Sequence, residues 1–411
     1  MARIQPFQAY RYSSKAGPPE DLVTQPYDKI SPAMQSRYLS LSPYNFVRIV
    51  LGERFSTDTD SDNVYTRAKG YLNEWIEQGV LTRDSEPSLY AYSQEFRVPD
   101  EDAVLTRKGF IGLGPVEDYD AMVVYRHEQT LSGPKKDRLE LLRHTRAHFG
   151  QLFMLYSDPA QAVDAALDSA TRRDPDVSVV DEYETLHRLW RISEPGLIAS
   201  IEQLMSDKKL LIADGHHRYE TALAFRNENP NSPDAKSVMM TFVNMNAPGL
   251  KILATHRVVS RLPSFDAQSL IQATNAQKLP SLAALKEIFA TPAPERVRVG
   301  FALQGGATYL IDYPRHPGDL DVKFLHDGLL GGILNISEES VRNESYLQYV
   351  RGIDAAVDKV ETGGAQIAFL LEPTTIQQTA DVALSGGVMP QKSTDFYPKL
   401  LSGLTIYKLA K

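Results

Sequence analysis

The chain of 411 residues contains no cysteine, which excludes thiol nucleophiles, disulfides and cysteine-held metals. It has no apolar run of about 18 residues, the minimum for a membrane-spanning helix. Its first residues, MARIQPFQAYRY, lack the apolar core of a secretory signal. A cytoplasmic protein with no membrane partner is the expectation. Basic residues are in the minority, 44 against 52 acidic ones for a net charge of -8, which argues against a nucleic-acid partner.

Several familiar chemistries are missing as well. There is no G-x-x-x-x-G-K-[ST] phosphate loop, no G-x-S-x-G elbow and no protein-kinase signature set. Gly112-Leu-Gly114-Pro-Val-Glu117 breaks the dinucleotide fingerprint at its third glycine. His127-Glu128 is not a zinc-protease helix, because position 131 is leucine. No internal repeat or low-complexity tract is present.

What remains is a chain long enough for two or three structural units, with an ordinary 42% hydrophobic content. Its organising stretch is residues 212–222, Ile-Ala-Asp-Gly-His-His-Arg-Tyr-Glu-Thr-Ala. Residues 210–212 form a short apolar run that reads as a buried strand. Tyr219, Ala222 and Leu223 then recur at helical spacing, while His216 and His217 lie off that apolar face. Asp214 suits an N-cap and Gly215 a tight turn. Two histidines and Arg218 thus crowd the first turn of a helix, where the free N–H groups and the dipole are already positive. Cations there cost about 0.3–1 kcal/mol unless an anion offsets them. A phosphate or carboxylate ligand is the simplest reason for them. The adjacent histidines diverge by about 100° on a helix, so they do not clamp one metal together.

The same anomaly recurs upstream, where Lys135, Lys136 and Arg138 follow Gly133-Pro134 at the start of another helix. Near the N-terminus, Pro26-Tyr27-Asp28 is a turn that supplies a candidate carboxylate. Residues 45–51 read as a strand and residues 65–79 as an amphipathic helix with Trp75 in the core. Residues 238–243 and 252–259 read as two strands of one sheet. Alternation on either side of Gly305-Gly306 marks a β-hairpin. Residues 346–360 read as helical, and 389–399 as a loop too polar for a core strand. The class is α/β (α+β) with a mixed sheet.

The stretch Ala213-Asp214-Gly215-His216-His217-Arg218-Tyr219-Glu220-Thr221-Ala222 resembles the hallmark of an uncharacterised bacterial and archaeal family, domain of unknown function 1015. The likeness extends to Pro26-Tyr27-Asp28, His127-Glu128-Gln129-Thr130, Lys136-Asp137-Arg138-Leu139 and Thr255-His256-Arg257. It also takes in Met389-Pro-Gln-Lys392-Ser393-Thr394 and Phe396-Tyr-Pro-Lys399, so it covers nearly the whole chain. More distantly, Asp214 to Arg218 resembles the motif of free serine kinases in the ParB/sulfiredoxin-like superfamily, which bind phosphate at a strand–turn–helix. That resemblance implies a ParB/sulfiredoxin-like core over residues 1–270, with an N-terminal elaboration, and a C-terminal α/β subdomain over residues 271–411 that lends a loop to the site. The sequence departs from sulfiredoxin in lacking its cysteine, and from ParB in lacking a helix-turn-helix.

Three functions follow as expectations. The first is phosphoryl transfer to a small hydroxylated metabolite, free L-serine foremost, with Mg²⁺ and a donor that is ADP, ATP or pyrophosphate. Asp214 and Glu128 would hold the metal. His216, His217 and Arg218 would neutralise phosphate, and Glu220 or Asp28 would accept the hydroxyl proton. Gly215, His127, Glu128, Lys135, Lys136, Arg138, Lys392, Ser393, Thr394 and Lys399 would complete the anion site, with the 389–399 loop folded over the Asp214 turn. The second is phosphate-ester or nucleotide hydrolysis, and the third a nucleotide-binding regulator without turnover. The sequence leaves the oligomeric state open.

Overall fold

A computed structural model of the chain describes residues 2–99, 101–128 and 132–410, with residues 132–134 described by their backbone alone. Gln129 and Thr130 of the His-Glu-Gln-Thr block lie outside the described residues. The chain forms two compact units. The first takes in the described residues of 2–126, 132–250 and 398–410, and the second 127–128 and 251–397. The boundary expected at 270/271 falls inside the second unit, because Thr255–Val259 is hydrogen-bonded into the second unit's sheet.

The first unit is built on an eight-stranded mixed sheet. Its order is Val124–Tyr125, Leu210–Asp214, Leu152–Tyr156, Ser237–Asn244, Val104–Pro115, Leu89–Arg97, Leu186–Ile192 and Val177–Val180. Leu210–Asp214 runs parallel to Val124–Tyr125 and antiparallel to Leu152–Tyr156, and its register shifts between Ile212 and Asp214. Residues 210–213 are buried, as a strand flanked on both sides must be. A core formed by Leu210, Ile212, Met154, Val124 and Phe242 lies against Tyr219 and Ala222 of the following helix, His216–Glu228.

A second apolar cluster of this unit explains one departure from expectation. Residues 45–51 are not a strand but carry the single helical turn Val47–Val50. Phe46, Ile49 and Val50 join Leu72 and Trp75 of helix Val64–Glu77 in this cluster, and Val47 is buried beside them. The spacing of those apolar positions fits one helical face as well as a strand, and tertiary packing decides.

The second unit holds a six-stranded sheet in the order Gln277–Leu279, Ala307–Pro314, Arg296–Leu303, Ile367–Leu371, Thr255–Val259 and Leu347–Arg351. The hairpin about Gly305-Gly306 supplies its second and third strands. Residues 238–243 and 252–259 therefore do not share one sheet, since periodicity tells what a segment is but not which sheet it joins. The helix read over 346–360 is strand Leu347–Arg351 followed by helix Ile353–Glu361. Within 389–399, Asp395–Tyr397 is a buried strand paired with Lys251–Leu253. Its Asp395 is tolerated there because Arg351 Nε donates to it at 2.8 Å. Among the described residues no helix is long and apolar enough to cross a membrane.

The site helix is anchored by Tyr219, whose ring is fully buried. Its hydroxyl donates to the Glu117 carbonyl at 2.7 Å and accepts from the Glu117 N–H at 2.9 Å. Tyr219→Phe would strand both backbone groups. It should lower unfolding free energy by about 1–3 kcal/mol, read from urea denaturation, with the circular dichroism spectrum unchanged.

Candidate functional site

Asp214 ends its strand, Gly215 turns the chain, and the helix begins at His216. Gly215 has φ +100°, a left-handed conformation that glycine adopts without strain. The Asp214 side chain does not cap the helix as expected: Gly215 occupies the cap position, with no side-chain hydrogen bond there. The carboxylate instead faces two cations. Oδ2 accepts from Arg218 Nη2 at 2.7 Å, and Oδ1 lies 3.3 Å from Lys399 Nζ. Burial alone would raise the Asp214 pKa. Lys399, Arg218, Lys29 and His216 overcome it and hold the carboxyl well below its usual range.

Arg218 is fixed from a second side. Its Nη1 donates to the Gln151 carbonyl, and the backbone of Gly150 packs so closely that an added Cβ would sit 3.2 Å from Nη1. Lys399 is buried, and its carbonyl accepts from Gln94 Nε2 at 2.7 Å. Lys29 lies on the turn Tyr27–Lys29, and Asp28 of the same turn is exposed. Sequence reading missed Lys29, Gln94 and Gln151. Lys29 adjoins a residue of the recognised Pro-Tyr-Asp block, but the two glutamines carry no local signal.

Other expected residues fall into two groups. In the first unit, Glu220 one turn along the site helix pairs with Lys135 and lies 3.6 Å from Arg126 Nη1. Arg138 donates to the Val50 carbonyl at 2.7 Å, pairs with Asp137 and sits 4.1 Å from the Tyr27 ring centre. Lys136 is exposed. His216 is buried, which corrects its expected position off the apolar face, and His217 is half-buried. In the second unit, His127 Nε2 and Thr394 Oγ1 are 2.8 Å apart, and the Glu128 carboxylate accepts from the Lys392 N–H. Ser393 is buried, and Lys392 is exposed with φ +58°. Of the two lysines expected at the Asp214 turn, Lys399 is placed there, whereas Lys392 belongs to the second unit.

A cleft lined by Pro26, Tyr27, Arg138, Leu142, Phe149 and Arg218, among others, adjoins the Asp214 cluster. The residues do not fit a magnesium ion held by Asp214, because both of its oxygens face cations. Among the described residues no three His, Asp or Glu side chains converge as a metal set.

The depressed Asp214 pKa has a testable consequence for stability. A group whose pKa falls on folding stabilises the fold above its unfolded value of about 3.9, and that contribution is lost as pH drops through the folded value. Lys399→Met should therefore cost about 1–3 kcal/mol at pH 7, while Arg218 still holds the carboxylate. Acid unfolding should begin at higher pH than in the parent, as followed by circular dichroism. An identical acid transition would remove Lys399 from the pairing.

Comparison with curated proteins returns no match. Among solved structures, a free serine kinase variant in complex with ADP is 9% identical, over 70% of this chain and 88% of its own, at a TM-score of 0.38. Free serine kinase in complex with AMP is 11% identical with the same coverage, 70% and 88%, at 0.39. SbnI from Staphylococcus aureus, truncated at its C-terminus, is 11% identical over 71% and 85%, at 0.35. At that distance they assign no activity to this chain. The family model described as "Protein of unknown function (DUF1015)" matches residues 4–340, and the chain belongs to that family.

Proposed function

We propose that the chain is a phosphotransferase that moves a phosphoryl group from a nucleotide or pyrophosphate donor to a small hydroxylated metabolite, with free L-serine as the acceptor. The carrying observation is the set of cations about Asp214. Lys399 and Arg218 face the two oxygens of a single carboxylate at the positive end of a helix, so two cations meet one anion there. Phosphoryl transfer needs little else than positioning and charge neutralisation. Serine comes from the resemblance of residues 214–218 to free serine kinases.

In this reading Asp214 holds the Lys399 ammonium and Arg218 guanidinium in place, and the two cations neutralise the phosphate oxygens. Half-buried His217, on the first helical turn, adds a donor for the transferring group. The acceptor hydroxyl oxygen bonds to the terminal phosphorus as the bond to the donor's bridging oxygen breaks. Asp28, exposed on the turn that carries Lys29, takes the hydroxyl proton. Glu220, engaged by Lys135 and Arg126, orients the helix instead. The cleft beside Arg218, with Leu142 and Phe149 in its lining, receives the uncharged part of the substrate.

The test incubates purified protein with L-serine and ADP, ATP or pyrophosphate, with and without Mg²⁺, and follows phosphoserine by mass spectrometry. Product should saturate with serine, and His217→Ala should slow turnover by at least ~100-fold, the scale of losing one oriented donor. Phosphate release at a rate indifferent to acceptor would make the protein a hydrolase. Thermal protection by nucleotide without turnover would make it a regulator.

A further inference from the structure

The first unit's sheet is polar where a sheet interior is normally apolar, beneath the returning residues 398–402. Gln94 faces Arg107 on one neighbouring strand and His187 on the other, so the three form one row across three strands. All three are buried, Arg107 at 2% exposure. Arg107 Nε donates to Gln94 Oε1 at 3.0 Å, and its guanidinium carbon lies 4.6 Å from the Phe153 ring centre. Tyr92, two residues before Gln94, has its hydroxyl 2.7 Å from His187 Nδ1, and His187 Nε2 is 3.1 Å from Asp181 Oδ2.

Such a row is costly. Removing a guanidinium from water costs several kcal/mol, and well-packed apolar residues are often at least as stable in its place. The destination of its hydrogen bonds gives it a purpose. Arg107 Nη2 donates to the Pro398 carbonyl, and Gln94 Nε2 donates to the Lys399 carbonyl at 2.7 Å. The Leu401 N–H points to the Tyr92 hydroxyl at 3.4 Å. Two successive carbonyls are thus gripped from below at the residue whose ammonium lies 3.3 Å from Asp214.

We propose that Gln94 and Arg107 are positioning residues for Lys399: they grip the backbone at 398 and 399 so that the Lys399 ammonium is aimed at Asp214 and at the phosphate oxygens of the substrate. Neither touches substrate; the Arg107 charge also acts on Asp214 directly, so Gln94, which is uncharged, is the member that acts through Lys399 alone. The substrate part rests on the phosphotransferase reading, whereas the positioning of Lys399 does not.

A double-mutant cycle tests it without ligand. Gln94→Met keeps the side-chain length and removes both hydrogen-bonding functions, and Lys399→Met removes the ammonium. Carbon-13 NMR of the Asp214 carboxyl is followed as pH falls, with folding checked by circular dichroism. In Gln94→Met the carboxyl should begin to titrate at higher pH than in the parent, by about one unit, equivalent to a tenfold loosening. In the Lys399→Met background the same Gln94 change should move nothing further, because coupled residues are non-additive. An unchanged titration in folded Gln94→Met overturns the proposal, and so does a full additional shift in the Lys399→Met background. Should Gln94→Met not fold, Gln94→Asn, which keeps an amide too short to reach both partners, is read by the same criteria. Pyrophosphate binding by calorimetry is the second arm. It should weaken about tenfold, some 1.4 kcal/mol, in Gln94→Met. A parent protein that binds no pyrophosphate contradicts the phosphotransferase reading, while the ligand-free titration still decides the positioning of Lys399.

Discussion

The carboxylate of Asp214 is the constraint on which the rest of the site depends. It sits where a buried strand ends and a helix begins, with Lys399 on one oxygen and Arg218 on the other. A carboxylate so placed is kept ionised by its cations, and the cations are kept from repelling one another by the carboxylate. The local sequence serves this geometry. Gly215 allows the turn, Gly150 leaves space for the guanidinium, and Tyr219 pins the helix to Glu117. Removing any one of these would move a charge rather than merely open a gap.

The charge arithmetic separates a structural ion pair from a binding site. One carboxylate facing one cation would be neutral and closed. Here Lys399 and Arg218 both face Asp214, at the positive end of a helix, in a protein whose net charge is -8. A positive surplus concentrated in one place on an acidic molecule draws anions to that place. Of the neighbouring carboxylates, Glu220 is engaged by Lys135 and Arg126, and Asp137 by Arg138 and Arg54, while Asp28 shares its turn with Lys29. Function resides in the groups a site brings together rather than in family or fold.

Much of this was legible in the sequence, and what was not has physical reasons. The strand–turn–helix could be read because apolar periodicity changes abruptly at Asp214-Gly215, and the excess of cations because their sign opposes the helix dipole. The mixed α/β class and the hairpin about Gly305-Gly306 followed from periodicity as well. Where periodicity fits two structures, as at residues 45–51, packing against Leu72 and Trp75 chose the helix. Sheet membership at 252–259 and the burial of Asp395 depended on partners far along the chain, Ile367–Leu371 and Arg351. Gln94, Gln151 and Arg107 were invisible for the same reason: a buried polar residue is explained by what it holds, and they hold residues 398–401, on another strand or at the far end of the chain. Glu128 and Lys392 could not be matched from the sequence either, because the bond between the Glu128 carboxylate and the Lys392 N–H joins segments far apart in the chain.

If the Asp214 cluster is an anion site, as we propose, a crystal of the protein soaked with pyrophosphate should show it. One pyrophosphate should have oxygens within hydrogen-bonding distance of Lys399 Nζ and the Arg218 guanidinium, with the Asp214 pairing retained. Density for the anion elsewhere, with the Lys399–Asp214–Arg218 cluster untouched at saturating pyrophosphate, would contradict it.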